Sequence, residues 1–188
     1  MNLSVDSTRV VCPLFQTGEG GSMPASTLQT SDLIFERCPR KFAASLNRQW
    51  HSRLPSCEWG NMSFAFHARW GDVTYAVALW SNPVARLLPQ HWIELRRMAC
   101  SPEMPKNAAS CFLSWMVRYF KKSYRERERL ISYQDTEIHS GTIYKASGWV
   151  NGYTSKSGSS WDRPNRFRSQ LNGTEALASS KIRWERGL

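Results

Sequence analysis

The chain has 188 residues, 41% of them apolar, with nine Trp, six Tyr and eight Phe, so it can bury a real core and is sized for one domain. Lys and Arg outnumber Asp and Glu by 25 to 15, a formal charge of +10; that excess points to a polyanionic partner such as DNA, RNA or a phosphate-bearing cofactor, against the plainer reading of a basic protein with no polyanion. No run approaches the roughly 20 apolar residues of a membrane helix, and no two of the five cysteines (Cys12, Cys38, Cys57, Cys100, Cys111) stand in the CxxC spacing of a zinc ribbon. An odd cysteine count and the lack of a basic start followed by an apolar block suit a cytoplasmic protein.

Residues 1–29, with "TGEGGSMPAST", read as an irregular N-terminal arm, in which "RVVCPLF" can pair as an edge strand. In "TSDLIFERCPRKFAASLNRQWHSRLP" a cap at Thr30, Ser31 or Asp32 predicts a helix, with Pro39 starting a second turn or kinking the first. Phe42, Leu46 and Trp50 fall at helical spacing, and Arg37, Arg40, Lys41, Arg48 and Arg53 form a basic cluster. "MSFAFHARWGDVTYAVALW" predicts a hairpin turning at Trp70-Gly71-Asp72, and "HWIELRRMAC" a further strand.

Pro102 and Pro105 then break the chain. Ala108, Cys111, Phe112, Trp115, Met116, Tyr119 and Phe120 recur at three and four, one buried helix face. "LISYQ" predicts a strand, "SGTIYKASG" a short helix and "WVNGYTSK" a last strand. The order is a mixed α+β sheet of about six strands, with a parallel crossover in the second half. The strands ending at Cys100 and near Gln134 should be neighbours bordering a cleft. From residue 156 to 188 the composition shifts to Ser, Asn, Gly and basic residues with Trp161, Phe167 and Trp184, which reads as a tail whose charges meet phosphates and whose rings stack on bases, or as a solvated tail.

Strand, Pro-bearing loop, helix, strand, short helix and strand resembles the second half of the GNAT acetyltransferase fold. "IELRRMACSPEMPKNAAS", "LISYQD" and "GTIYKASGW" together resemble the Mom family of bacteriophage DNA-modification proteins, over roughly residues 31–155. The resemblance implies a GNAT-like catalytic domain over 30–155. It implies an enzyme that converts adenine in double-stranded phage DNA, flipped out of the helix, to the N6-carbamoylmethyl (glycinamide) form, which blocks host restriction enzymes. Acetyltransferases of this fold carry a Gly-rich loop whose amides cradle coenzyme A; here no glycine lies between Arg96 and Ser110. The donor is therefore unassigned: an acetyl-CoA-like thioester and a glycyl ester such as an aminoacyl-tRNA both suit. Iron enters only through the resemblance, since no tight His/carboxylate triad is visible. A homodimer is left open.

Asp135 ends its strand where sites collect in open α/β sheets; it is read as the base that orients and deprotonates the adenine amine, against a plain helix cap. Tyr144 is read as a general acid or carbonyl polariser, against a half-buried aromatic with a satisfied hydroxyl. Ser110 and His51 complete the catalytic candidates. Arg96, Lys106, Asn107 and Ser110 are read as the cofactor-binding set holding a phosphate. Arg53, Arg97, His139, Lys156, Arg163, Arg166 and Arg168 are the DNA-binding candidates, and no metal ligands are assigned. Two alternatives are a non-enzymatic nucleic-acid-binding protein on an acetyltransferase-like scaffold and an ordinary N-acetyltransferase; the missing glycine loop speaks against the second.

Overall fold

The structure, a computed structural model, describes residues 28–51, 54–57, 62–155 and 179–188. Seven strands form one sheet in the order β1-β2-β3-β4-β5-β7-β6: β1 (Ile34–Arg37), β2 (Phe64–Trp70), β3 (Val73–Ser81), β4 (Ile93–Cys100), β5 (Arg129–Asp135), β6 (Val150–Ser155) and β7 (Lys181–Gly187). Three helices accompany them: α1 (Arg40–Trp50), α2 (Ala108–Ser123) and α3 (Thr142–Ala146). The mixed α+β architecture is the expected one, with one strand more.

Two stretches depart from the sequence reading. Thr30–Asp32 makes only a single 3₁₀ turn, and "IFER" is not helical but the edge strand β1, paired antiparallel with β2 from Ile34↔Arg69 to Arg37↔Phe66. The cap signal was real, since Asp32 accepts the Gln29 N–H at 2.8 Å. Pairing with β2 claimed the residues that follow, and Pro39 then caps α1. The second departure is larger. Residues 181–187, grouped by composition with the basic tail, form β7, hydrogen-bonded between β5 and β6. Within it Lys181, Arg183 and Glu185 alternate with Ile182 and Trp184, the period of two that a strand with one buried face requires. Trp184, expected to stack on bases, is 4% exposed. "RVVCPLF" and residues 156–178 lie outside the described residues.

The sheet packs differently on its two faces. One face carries α2 and α3 over the main core, where Phe66, Trp80, Phe112, Met116, Phe120 and Leu130 are fully buried. Edge-on ring contacts, such as Phe64–Phe120 at 5.2 Å and Trp80–Phe120 at 5.0 Å, knit α2 to the sheet. The other face is covered by α1, whose Ala43, Leu46 and Trp50 pack on Ala65, Val77, Leu79 and Ala99 of β2–β4. Over β5, β7 and β6 this second face bears exposed Tyr133, Val150 and Tyr153.

Trp184 fastens β7 to the core. Its indole N–H donates to Gln134 Oε1 at 2.6 Å and its ring stacks on Tyr144 at 5.4 Å and 9°. Gly141, at φ +73°, must lack a side chain, because a Cβ there would run into both Gln134 and Trp184. Trp184→Ala is expected to lower stability by about 3–5 kcal/mol, the usual cost of emptying a buried Trp site, whereas Val150→Ala on the open face changes it by less than about 0.5 kcal/mol. Urea denaturation of the two variants checks this.

Candidate active site

The site begins with an irregularity in β4. Against β3, Leu95 faces Trp80 and Arg97 faces Leu79, so Arg96 is the extra residue of a bulge. Against β5, the parallel ladder runs only through Ile93↔Leu130, Glu94↔Ile131 and Leu95↔Ser132. The two strands are neighbours, as expected, and part where the bulge bends β4. Beyond that rung Arg97–Cys100 and Tyr133–Asp135 border a gap.

Alternation fixes what each strand offers. Leu95, Ser132, Gln134 and Trp184 share the α2 face, while Tyr133 and Asp135 share the α1 face. At the last rung the Tyr144 hydroxyl and the Ser132 hydroxyl are 2.8 Å apart, and Ser132 lies 3.5 Å from the Leu95 carbonyl. Tyr144 is 8% exposed, and burial raises its phenol pKa above the ordinary value, so it stays protonated at neutral pH. Its hydroxyl is partnered by Ser132 at the base of the gap.

Asp135 caps the turn after β5. The Glu137 N–H donates to Oδ1 at 3.1 Å and the Ser179 hydroxyl to Oδ2 at 2.7 Å. Asp135 and Ser132, the residue whose hydroxyl meets Tyr144, lie three residues apart along β5, roughly 10 Å, on opposite faces of the sheet, so Asp135 and Tyr144 are not a side-by-side pair.

Three of the scattered candidates come together on the α1 face. His51, at the C-terminus of α1, feels the charges of both Arg97 and His139, and its pKa is pushed down to about 4, chiefly by burial. The Leu54 N–H donates to its Nδ1 at 3.2 Å, which leaves the proton of the neutral ring on Nε2. On that tautomer Nε2 is a donor and Nδ1 is occupied as an acceptor. Arg97 is the neighbouring cation. Its Nη1 donates to the Arg96 carbonyl at 2.7 Å and its Nη2 reaches Ser56 O at 3.5 Å, while Nε is buried without a partner. Among the described residues no carboxylate pairs with it, and burial lowers its pKa first, with Arg96 second. A half-buried guanidinium in that condition favours an anionic ligand.

The cofactor-binding set is divided. Arg96 lies 3.5 Å from Glu94 and lines a pocket of about 310 Å³ with Ser63, Ser81, Asn82 and Gln90. The α2 start is four residues and a loop away, more than about 13 Å along the strand, so Arg96 does not share a phosphate with it. At that start Asn107 adopts a left-handed φ of 63° without a side-chain cap bond, and Lys106 is exposed. The first helical bond there is Cys111 N–H to Asn107 O at 3.1 Å, leaving the Ala109 and Ser110 amides as unsatisfied helix-start donors. The Ser110 hydroxyl donates to Asn107 O at 2.8 Å, a helix-start role and not that of an activated nucleophile. Arg53, Lys156, Arg163, Arg166 and Arg168 lie outside the described residues. Among the described residues no three His, Cys, Asp or Glu side chains are grouped to hold a metal, so the donor set does not fit iron. No helix among them is long and apolar enough to cross a membrane.

The model of the Mom protein family matches residues 32–185. The chain belongs to the Mom family. Among curated proteins none matches it. Solved structures give the fold: a Bacillus subtilis acetyltransferase in complex with CoA superposes with a TM-score of 0.59 at 15% identity, over 83% of this chain and 99% of that one. The ribosomal-protein-S18-alanine N-acetyltransferase of Escherichia coli gives 0.58 at 12%, over 82% and 93%. An IAA acetyltransferase from Bacillus cereus gives 0.56 at 14%, over 83% and 99%. This Mom protein has the GNAT acetyltransferase fold, and the family match runs to residue 185, through most of β7.

Sequence reasoning missed Tyr133, Tyr153, Arg183 and Glu185, which the sheet aligns on its open face; the alternation in "KIRWER" was the signal that could have found them. The depressed His51 pKa has a stability consequence. The unfolded ring titrates near its ordinary 6.5 and the folded one near 4. The stability contributed by keeping His51 neutral is therefore present above 6.5 and is lost as pH falls from 6.5 through 4. In denaturation curves over that window, His51→Gln should show a shallower loss with falling pH than the parent protein.

Proposed function

We propose that this Mom-family chain is a DNA-modifying transferase that places a carbamoylmethyl (glycinamide) group on the exocyclic amine of adenine in phage DNA and so shields it from restriction. The observation that carries the reading is the gap between β4 and β5, bordered on one face by Asp135, Arg97 and His51 and on the other by the buried Tyr144–Ser132 pair.

Adenine's amine is a weak nucleophile because its lone pair is delocalised into the ring. A carboxylate that orients it and takes its proton as the new bond to a glycyl carbonyl forms, while the donor's thiol or hydroxyl departs, lowers that barrier; the glycyl amine then attacks adenine C6 and the amide nitrogen leaves it, an isomerisation that turns the N6-glycyl product into the carbamoylmethyl one with no further reactant. Asp135 accepts from the Glu137 N–H and the Ser179 hydroxyl, bonds that fix the carboxylate at the end of β5. The amine enters from the α1 face, where the neutral His51 supplies an Nε2–H and Arg97 holds an anionic group. An extruded base is the form in which a duplex delivers that amine.

The acyl-type donor comes from the other end of the gap. Its phosphate would lie on the α2 start, held by Lys106, the orphan amides of Ala109 and Ser110, and Asn107. Pro102 and Pro105 remove amides from the preceding loop, which favours a donor with fewer phosphate contacts than coenzyme A receives from a glycine loop; a thioester and a glycyl ester both meet that description. Tyr144, a protonated phenol at the base of the gap, can donate through Ser132 to an oxygen bound there.

Mass spectrometry of nucleosides from plasmid DNA co-expressed with the chain tests the reading. The expected result is modified adenine from the parent protein and none from Asp135→Asn, which keeps shape and removes the base. Tyr144→Phe is expected to lower the yield by about 10²–10⁴-fold, the usual range for a lost acid catalyst. Unmodified DNA from the parent protein overturns the function; wild-type yield from Asp135→Asn overturns the role of the carboxylate.

A further inference from the structure

The open face over β5, β7 and β6 carries a built array that the chemistry above does not use. Register aligns Tyr133 with Arg183, and Arg183 with Tyr153, so the three side chains form one cross-strand row over three strands. One step along, Glu185 faces Ile131 and is 6% exposed, buried beneath the row.

Glu185 anchors the array. Arg183 donates to it through Nε at 2.8 Å and Nη2 at 2.7 Å, and Arg129 pairs with its other oxygen. A Cβ at Gly152 would run into this carboxylate, so glycine at the β6 bulge is what admits it. Each arginine also lies against a ring: Arg183 over Tyr153 at 5.7 Å and Arg129 over Trp92 at 4.7 Å. Burial raises the Tyr133 pKa above the ordinary value, with the neighbouring Arg183 acting against it.

Two guanidiniums on one carboxylate leave a net positive charge and unused N–H donors in fixed orientation. Tyr133 and Tyr153 remain 39% and 57% exposed. One guanidinium suffices to compensate the buried Glu185 carboxylate, so the second is an excess charge held at the edge of the row. The row leads along β5 to Asp135, two residues past Tyr133 on the same face. Around it stand Arg96, Arg97, Arg129, Lys181 and Arg183 against Glu94, Asp135 and Glu185, on a chain of net charge +10.

We propose that the Tyr133–Arg183–Tyr153 row is the platform on which the DNA strand next to the target nucleotide lies, with its bases on the two tyrosine rings and its phosphates on Arg129 and Arg183. Stacking is sequence-tolerant because every base has a π-face, and guanidiniums read the backbone. The occupant is DNA and not an acidic protein surface, because two exposed rings alternate with a guanidinium along one row of a basic face, the pattern of a single-strand track. The inference rests on the reading of the chain as a DNA-modifying enzyme and names where its substrate is held.

The test is fluorescence anisotropy of the full chain with a fluorescein-labelled DNA duplex that carries the target adenine in a short bubble of unpaired bases, over a range of salt, alongside nucleoside analysis of co-expressed plasmid. Tyr133→Leu/Tyr153→Leu, which keeps apolar bulk on the sheet, should bind at least tenfold more weakly with an unchanged salt slope. Arg129→Gln/Arg183→Gln should also weaken binding and make the slope shallower by one to two charges. Lys121→Ala/Lys122→Ala at the exposed end of α2 should stay within twofold of the parent. Affinity within twofold of the parent for the tyrosine variant, or an equal loss from the α2 lysine variant, overturns the platform. If the parent protein leaves plasmid adenine unmodified yet the tyrosine variant still loses tenfold in affinity, the enzymatic reading fails and the platform stands.

Discussion

Everything at the site depends on the parting of β4 from β5. Parallel strands in the middle of a sheet normally pair along their length, since unpaired backbone groups in that position are costly. Here three rungs form and the fourth does not, because one extra residue, Arg96, bends β4 away at that point. The bulge fixes three things together. It opens the gap and leaves backbone groups on both strands turned toward it. It also resets the alternation, so that Arg97 shares the α1 face with His51 while Leu95 keeps its place in the core.

From that break follows a division of labour between the faces. The α2 face is dense and aromatic, and it supplies rigidity: Tyr144 is clasped between Ser132 and Trp184, and the last strand is locked in by Gln134. The α1 face is half covered. Helix α1 closes it over β2–β4, and the remainder carries tyrosines, arginines and the end of β5. A small acyl donor and a large polyanion need different surroundings, one narrow and close to a helix start, the other broad and cationic. Under the proposed function the two faces of one gap would receive them separately, without requiring the reactants to pass each other.

Much of the architecture was legible because local signals agreed with the global fold. The β2–β3 hairpin, the α2 stripe, β5, α3 and β6 each follow from period and punctuation. The failures have physical causes. "IFER" has no periodicity long enough to decide between helix and strand, and only pairing with β2 settles it. The β7 strand was hidden because composition was weighed over a window of 33 residues, in which the two-residue alternation of "KIRWER" disappears. At the site, what the sequence could not convey was partnership. His51, Arg97 and His139 are far apart in sequence and converge only through the fold, while Arg96 and Ser110, grouped by proximity to one motif, are separated by a bulge and half a strand. The role of His51 as a donor could not be read from sequence at all, since it depends on which ring nitrogen the Leu54 amide occupies.

The central claim is that the target adenine's amine is delivered to the end of β5 from the α1 face. Disulfide trapping tests it directly. In a background with Cys57→Ser and Cys111→Ser, Asp135→Cys is mixed with a duplex whose target adenine carries an N6-thioalkyl tether, and Arg118→Cys on the solvent side of α2 serves as the reference position. The account predicts a cross-linked complex at position 135 and none at 118. Trapping at 118 as efficient as at 135, or none at 135, would contradict it.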